Sequence, residues 1–247
     1  MRRYVHAVSM EFDRRISPAD FARSAGIGTQ ELRGRYGSSG LIRCGEVVGS
    51  GQLTLRNDLI TTAAHVFYDN AGHLRSTSCT FEPIFSSGGR PVVIDPTSIK
   101  AGSVSPYDEP ATRDWAIAQL TAPIQDATPY QLTPEGTDAH TIVMLAGGNG
   151  SGPNLGTERC STRGLTDHSE EGVREVTIDC SAGHGSSGAA LISDADDMDA
   201  RSISAIYVGY RSVDPQHSHP FSALHYNFAI TIDGPFRRTL LEAASEH

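Results

Sequence analysis

The chain has 247 residues, with 29 Asp and Glu against 20 Lys and Arg and a formal charge of −9. Hydrophobic residues make up 38%, enough for a core, but no apolar run approaches the roughly 20 residues of a membrane-spanning helix. The acidic balance disfavours nucleic acid and anionic membrane surfaces as partners, since both would repel this chain at long range.

In chain order, the start MRRYVHAVSMEFDRR carries bases but no apolar stretch, so no secretory signal is visible. ISPADFARSAG then predicts a short helix, with Ser17 as N-cap, Pro18 in the first turn and Gly26 closing it. TQELRGRYG predicts another turn or two, stopped by Gly34 or Gly37. Residues 1–40 are therefore expected to be an N-terminal extension, either a propeptide or an arm packed on the surface. From Leu41 the pattern changes to short apolar runs broken by Gly, Pro, Asn and Asp: LIRCGEVVG, GQLTL, DLITTAAHV, SCTFEP, PVVID, WAIAQL, TIVMLAG, VREVTIDC, AALIS, SISAIYVGY and FAITI. Short runs at this spacing point to an all-β sandwich or barrel rather than alternating βα units. The proline-rich TAPIQDATPYQLTPEGT divides the remainder into 41–128 and 129–247, and PFRRTLLEAASEH predicts a C-terminal helix.

The cysteines, at 44, 79, 160 and 180, form no C-x-x-C pair, which argues against a zinc knuckle. An even, scattered set suits two disulfides in an oxidising compartment, extracellular or periplasmic, or else four buried thiols. Cys44 and Cys79 bracket the TAAHV block, and Cys160 and Cys180 bracket a hairpin turning near SEEG. Bridging each pair would be worth about 3 kcal/mol on the chain-entropy account.

The densest run of small residues is IDCSAGHGSSGAAL, 178–191. A serine hydroxyl is a poor nucleophile near neutrality. It needs a base in hydrogen-bond reach, and the base needs an acceptor on its far nitrogen. DLITTAAHV supplies His65, RDWAIAQL supplies Asp114, and GHGSSGAAL supplies Ser187. The backbone N–H groups of Gly185 and Ser187 would form a donor pair for a developing oxyanion, and glycine relieves the backbone such a turn demands.

TAAHV, DWAIAQL and DCSAGHGSSGAAL resemble, in that order, the signature blocks of chymotrypsin-like serine peptidases. The spacings, 49 residues from His65 to Asp114 and 73 on to Ser187, resemble the compact bacterial branch that includes the glutamyl endopeptidases. The resemblance covers roughly 41–235. It implies two antiparallel Greek-key β-barrels with a cleft between them, His65 as base, Asp114 as its orienter, Ser187 as nucleophile, and Gly185 with Ser187 as oxyanion hole. It further implies hydrolysis of a peptide or protein substrate through an acyl-enzyme, by a monomer that uses neither a metal nor an organic cofactor.

The sequence also departs from the family. Digestive relatives place an Asp just before the nucleophile, to pair with a newly cut N-terminal ammonium. Here that position is the neutral Ser186, so that activation route is closed. The resemblance assigns the substrate pocket to Ser181, His184 and Tyr207. Tyr207 stands where glutamate-specific relatives carry a histidine, so glutamate specificity is not carried over. His184 and Arg211 read more simply as exposed loop side chains. Three alternatives compete. An α/β-hydrolase would need a G-x-S-x-G elbow, which is absent. An inactive peptidase-like binding module would usually have lost one of His65, Asp114, Ser187 or Gly185. Metal binding by His217, His219 and His225 is expected to lack a carboxylate or cysteine joining them, so a polar surface loop is the favoured reading.

Overall fold

Ser17 begins the first helix with an N-cap: its side chain accepts a hydrogen bond from the Asp20 N–H. Gly26, with φ +69°, closes the helix in the left-handed conformation that glycine adopts freely. The computed structural model describes residues 3–5, 13–85, 90–136, 140–148, 155–194, 202–215, 217 and 219–246. In chain order its elements are β1 (Arg3–Val5), α1 (Pro18–Ala25), α2 (Thr29–Tyr36), β2 (Ser39–Cys44), β3 (Val47–Leu53), β4 (Leu59–Thr62), α3 (Ala64–Phe67), β5 (Thr80–Pro83), β6 (Val92–Val93), β7 (Lys100–Ala101) and β8 (Ala116–Gln119). There follow β9 (Gln131–Leu132), β10 (Thr141–Ala146), β11 (Gly156–Glu170), β12 (Val173–Ile178), β13 (Ala190–Ser193), β14 (Ser202–Ser212), β15 (His225–Thr231) and α4 (Gly234–Ser245).

The strands form two sheets. One runs β6-β5-β2-β3-β4-β8-β7, and a bridge between Ile94 and Leu120 draws its two sides together. The other runs β14-β13-β10-β11-β12-β15, and β15 pairs back onto β14 to close a ring, with β1 and β9 attached to β14. All sheet pairings except β9 with β14 are antiparallel. The all-β expectation therefore holds, and the apolar runs coincide with strands. Besides the short β1, β7 and β9, the runs miss β11, a long strand whose far half is largely exposed and polar.

Each sheet encloses its own core, Ile42, Leu53, Ile60, Phe67 and Phe81 in the first and Ile142, Met144, Leu191 and Tyr207 in the second. A third cluster joins Phe21, Leu32 and Tyr36 of the N-terminal helices to Trp115, Tyr130, Phe228 and Phe236. The N-terminal extension packs against the rest of the chain: α1 and α2 contribute buried side chains to this cluster, because their apolar faces escape water there. Two disulfides, Cys44–Cys79 and Cys160–Cys180, are present, and no described cysteine is free.

Candidate active site

β4 ends at Thr62, and the chain turns into the single helical turn α3, which presents His65 with only 5% of its surface exposed. Asp114 follows a 3₁₀ turn, Ala111–Arg113, and precedes β8, the neighbour of β4 in the sheet. That adjacency brings the two residues together. Asp114, fully buried, accepts from the His65 backbone N–H at 2.9 Å through Oδ1 and meets His65 Nδ1 at 2.6 Å through Oδ2. A carboxylate so placed on Nδ1 fixes the ring orientation and leaves Nε2 as the basic nitrogen. Tyr107, whose role was not foreseen from sequence, lies edge-on to the His65 ring with centroids 6.2 Å apart. Arg75 ties the two together, donating to the His65 carbonyl at 3.1 Å and to the Tyr107 hydroxyl at 2.8 Å.

Ser187 comes from the other sheet, on the loop before β13. Its carbonyl accepts from Ser50 N–H of β3 at 2.8 Å. Gly188, at φ +89°, lies so close to the first sheet that a Cβ there would stand 2.1 Å from Thr62 Oγ1 and 2.9 Å from Ala63 N. The serine loop is thus seated on the segment that leads into α3 and His65. Gly185 has φ +89°, and its carbonyl accepts from the Ser50 hydroxyl at 2.7 Å. Among the described residues, the N–H groups of Gly185 and Ser187 donate no hydrogen bond.

Two comparisons by sequence find nothing: no family model and no curated protein matches the chain. Comparison by structure does find relatives. The structure of a Glu endopeptidase superposes with TM-score 0.69 at 14% identity, covering 97% of this chain and all of that one. A thermostable serine protease from an extremophilic microorganism gives 0.60 at 12% identity, over 87% of this chain and 100% of the other. The protease Anisep from Arthrobacter nicotinovorans gives 0.60 at 12%, over 86% and 97%. The fold is that of the chymotrypsin-like serine proteases. The likeness to the Glu endopeptidase extends beyond the 41–235 that the signature blocks had marked, into the N-terminal helices.

On this chymotrypsin-like frame, the segment before the serine and the β14 strand form a second group of contacts. Tyr207 is fully buried, and burial drives its phenol well above the ordinary range, so it stays protonated. Its hydroxyl bonds to Asn227 Oδ1 at 3.1 Å, and Asn227 Nδ2 donates to the Cys180 carbonyl at 2.7 Å. The Tyr207 backbone clasps the serine loop from the other side, accepting from Gly188 N–H and donating to the Ala189 carbonyl. Ser181 is buried, and its N–H donates to Glu158 Oε2 at 2.8 Å. Glu158 is also paired with Arg14 at 2.7 Å. Burial pushes its carboxyl up, and the bonds from Ser181 and the Arg14 charge offset only part of that rise. His184 is exposed, as its loop position suggested.

Two readings need correction. Arg211 is not an exposed loop arginine. It is 9% exposed and bonds the fully buried Glu175 through Nε and Nη2, at 2.9 and 2.6 Å. β14 places it on the closed ring beside β15, and desolvation there requires a counter-charge. The histidine loop does have a carboxylate: Asp214 lies 2.9 Å from His217 Nδ1 and 3.3 Å from His219 Nε2. Asp214 stands only three residues before His217, so this partner was already present in the sequence DPQHSH. Among the described residues one cluster has metal-like spacing, Cys160, Asp179 and Cys180, but both its sulfurs are held in the disulfide.

Proposed function

We propose that this protein is a serine endopeptidase acting through Ser187, His65 and Asp114. The carrying observation is the buried His65–Asp114 pair on one sheet with the Ser187 loop seated beside it from the other. His65 Nε2 takes the Ser187 hydroxyl proton as Oγ attacks a peptide carbonyl, and the N–H groups of Gly185 and Ser187 receive the resulting oxyanion. His65, now an imidazolium held by Asp114, returns the proton to the departing amine. A water then hydrolyses the acyl-Ser187 ester by the same exchange. The intact set of groups favours turnover over the reading as an inactive binding module.

The substrate is a peptide or protein segment. At the pocket, Ser181 and Tyr207 are neutral and Arg211 is spent on Glu175, which disfavours an acidic side chain as the primary determinant. Two disulfides support an oxidising compartment, and among the described residues no helix is long and apolar enough to cross a membrane.

The test is covalent labelling with a fluorophosphonate, followed by peptide mapping. Label at Ser187 that disappears in Ser187→Ala and His65→Ala, together with cleavage of a peptide library, is the expected result. Folded protein that neither labels nor cleaves refutes the proposal.

A further inference from the structure

A cation that bonds the serine loop comes from the far end of the chain. Arg15 precedes α1, yet its side chain is only 2% exposed. All five of its N–H donors are used. Nε and Nη2 bind Asp13 at 2.8 and 2.6 Å, Nη1 binds the Gly147 carbonyl at 2.7 Å and Ser186 Oγ at 2.9 Å, and Nη2 binds the Gly148 carbonyl at 2.7 Å. Ser186 passes the constraint on. Its hydroxyl donates to the Gly147 carbonyl at 3.1 Å and accepts from the Gly183 N–H at 3.0 Å.

The 147–148 segment, fixed by Arg15 on one side, presses on residues 184 and 185 from the other. A Cβ at Gly148 would stand 1.6 Å from the His184 carbonyl oxygen, and one at Gly147 would stand 2.8 Å from the Gly185 carbonyl oxygen. Ser50 closes the circuit, accepting from Gly147 N–H at 2.9 Å while donating to the Gly185 carbonyl at 2.7 Å. A trans peptide points its C=O and N–H in opposite directions. Holding the His184 carbonyl against Gly148 therefore aims the Gly185 N–H away from the 147–148 segment. Neighbouring backbone bonds keep the arm in place: Ile16 exchanges two with Thr157, at 3.0 and 2.8 Å, and Arg14 N–H donates to Ser181 Oγ at 3.1 Å.

We infer that Arg15 is a positioning residue for the oxyanion hole: from within the uncut chain it fixes the 183–187 loop in its working conformation, at the neutral position Ser186, with no need for a cleaved N-terminal ammonium. Five fixed donors suit this task because two carbonyls and a hydroxyl on different segments must be held at once, which a lysine ammonium cannot match geometrically. The inference builds on the reading of Ser187 as nucleophile, and its test separates the two.

The experiment compares the wild-type chain with Arg15→Ala and Arg15→Lys by two readouts. Hydrogen exchange over the 181–188 segment does not depend on activity. Protection should fall in Arg15→Ala while the strands of the first sheet stay unchanged. The rate of fluorophosphonate labelling at Ser187 reads the oxyanion hole directly. It should fall about 10- to 100-fold, less than the 10²–10³ typical of losing an oxyanion donor outright. Arg15→Lys should recover part of that rate, and millimolar guanidinium added to Arg15→Ala should recover more. Unchanged protection at 181–188 in folded Arg15→Ala overturns the inference whether or not the wild type labels. So does unchanged labelling, or lowered labelling that guanidinium does not restore. Wild-type protein that fails to label, with protection still dependent on Arg15, removes the nucleophile reading and leaves the loop-fixing role in place.

Discussion

The two halves of the candidate site are held in different ways. His65 follows β4 and Asp114 precedes β8, adjacent strands of one sheet, and the two residues, 49 apart in the chain, contact each other directly through two hydrogen bonds. Ser187 and Gly185 touch no strand partner of their own. Their loop is gripped by Ser50 from the first sheet, by Tyr207 from β14, by the 147–148 segment and, through that segment, by Arg15. The first half is a by-product of sheet pairing. The second is assembled from four distant parts of the chain, so it should be the half that fails first when packing is disturbed.

The largest test addresses the first half. Asp114→Asn keeps the shape but presents an amide N–H where a carboxylate oxygen met Nδ1, favouring the wrong tautomer of His65. Turnover should fall on the order of 10⁴ with the fold retained, as checked by peptide hydrolysis beside circular dichroism. A variant with near-normal turnover would mean that the pair is structural. Next, Glu175→Gln leaves Arg211 buried without its counter-charge in the closed ring. It should cost about 4 kcal/mol of stability, seen as a melting temperature lower by roughly 10 °C. A melting point within a degree or two of wild type would show that the ring does not depend on the pair.

Gly148→Ala strikes the second half alone. The new Cβ would collide with the His184 carbonyl and add strain at φ +76°, turning the Gly185 peptide. Turnover should drop by about 10²-fold, with KM changed much less, in steady-state kinetics on a cleavable peptide. An equal loss in Gly147-distal surface variants would remove the distinction between the two halves.

The smallest effect is in acid. Burial alone would raise the Asp13 carboxyl, but the hydrogen bonds and charge of Arg15 outweigh it and hold the group below its ordinary value. A carboxyl lowered on folding contributes stability that is complete above the ordinary carboxylate range and is lost as pH falls from there through the lowered folded value. Glu158, raised by burial, works in the opposite sense, so the comparison is made against Asp13→Asn. The wild type should be slightly the more stable of the two at pH 6, and the difference should begin to shrink near about pH 4 and vanish only at more acid pH, below the lowered Asp13 value, as followed by denaturant melts.

Much of this was legible without coordinates. Ser17, Pro18 and Gly26 bound α1 because capping chemistry is local. The short apolar runs marked most strands because burial on a pleated sheet imposes a pattern on adjacent residues. β11 escaped that reading because GTERCSTRGLTDHSE is largely polar and its far half faces water, so no hydrophobic alternation marks it. The three blocks around His65, Asp114 and Ser187 were visible because each combines a strand end with an unusual cluster of small residues. Tyr107, Glu158 and Arg15 were not. Nothing in SPYDEP, GTERC or DRR distinguishes them from ordinary loop or surface residues.

By itself, then, the sequence pointed to the fold class and the capping of α1, left the cysteines as either two disulfides or four thiols, and marked His65, Asp114 and Ser187 as the candidate reactive side chains. Each of these depends on neighbours in the chain or on residue chemistry that no other type can supply. Only the tertiary structure decided that Arg211 faces Glu175 rather than solvent, that the N-terminal helices join the core, and that Arg15 reaches Ser186 across 171 residues. Burial of a charge and the choice of its partner are settled by which surfaces close upon one another, and a linear pattern carries no record of that.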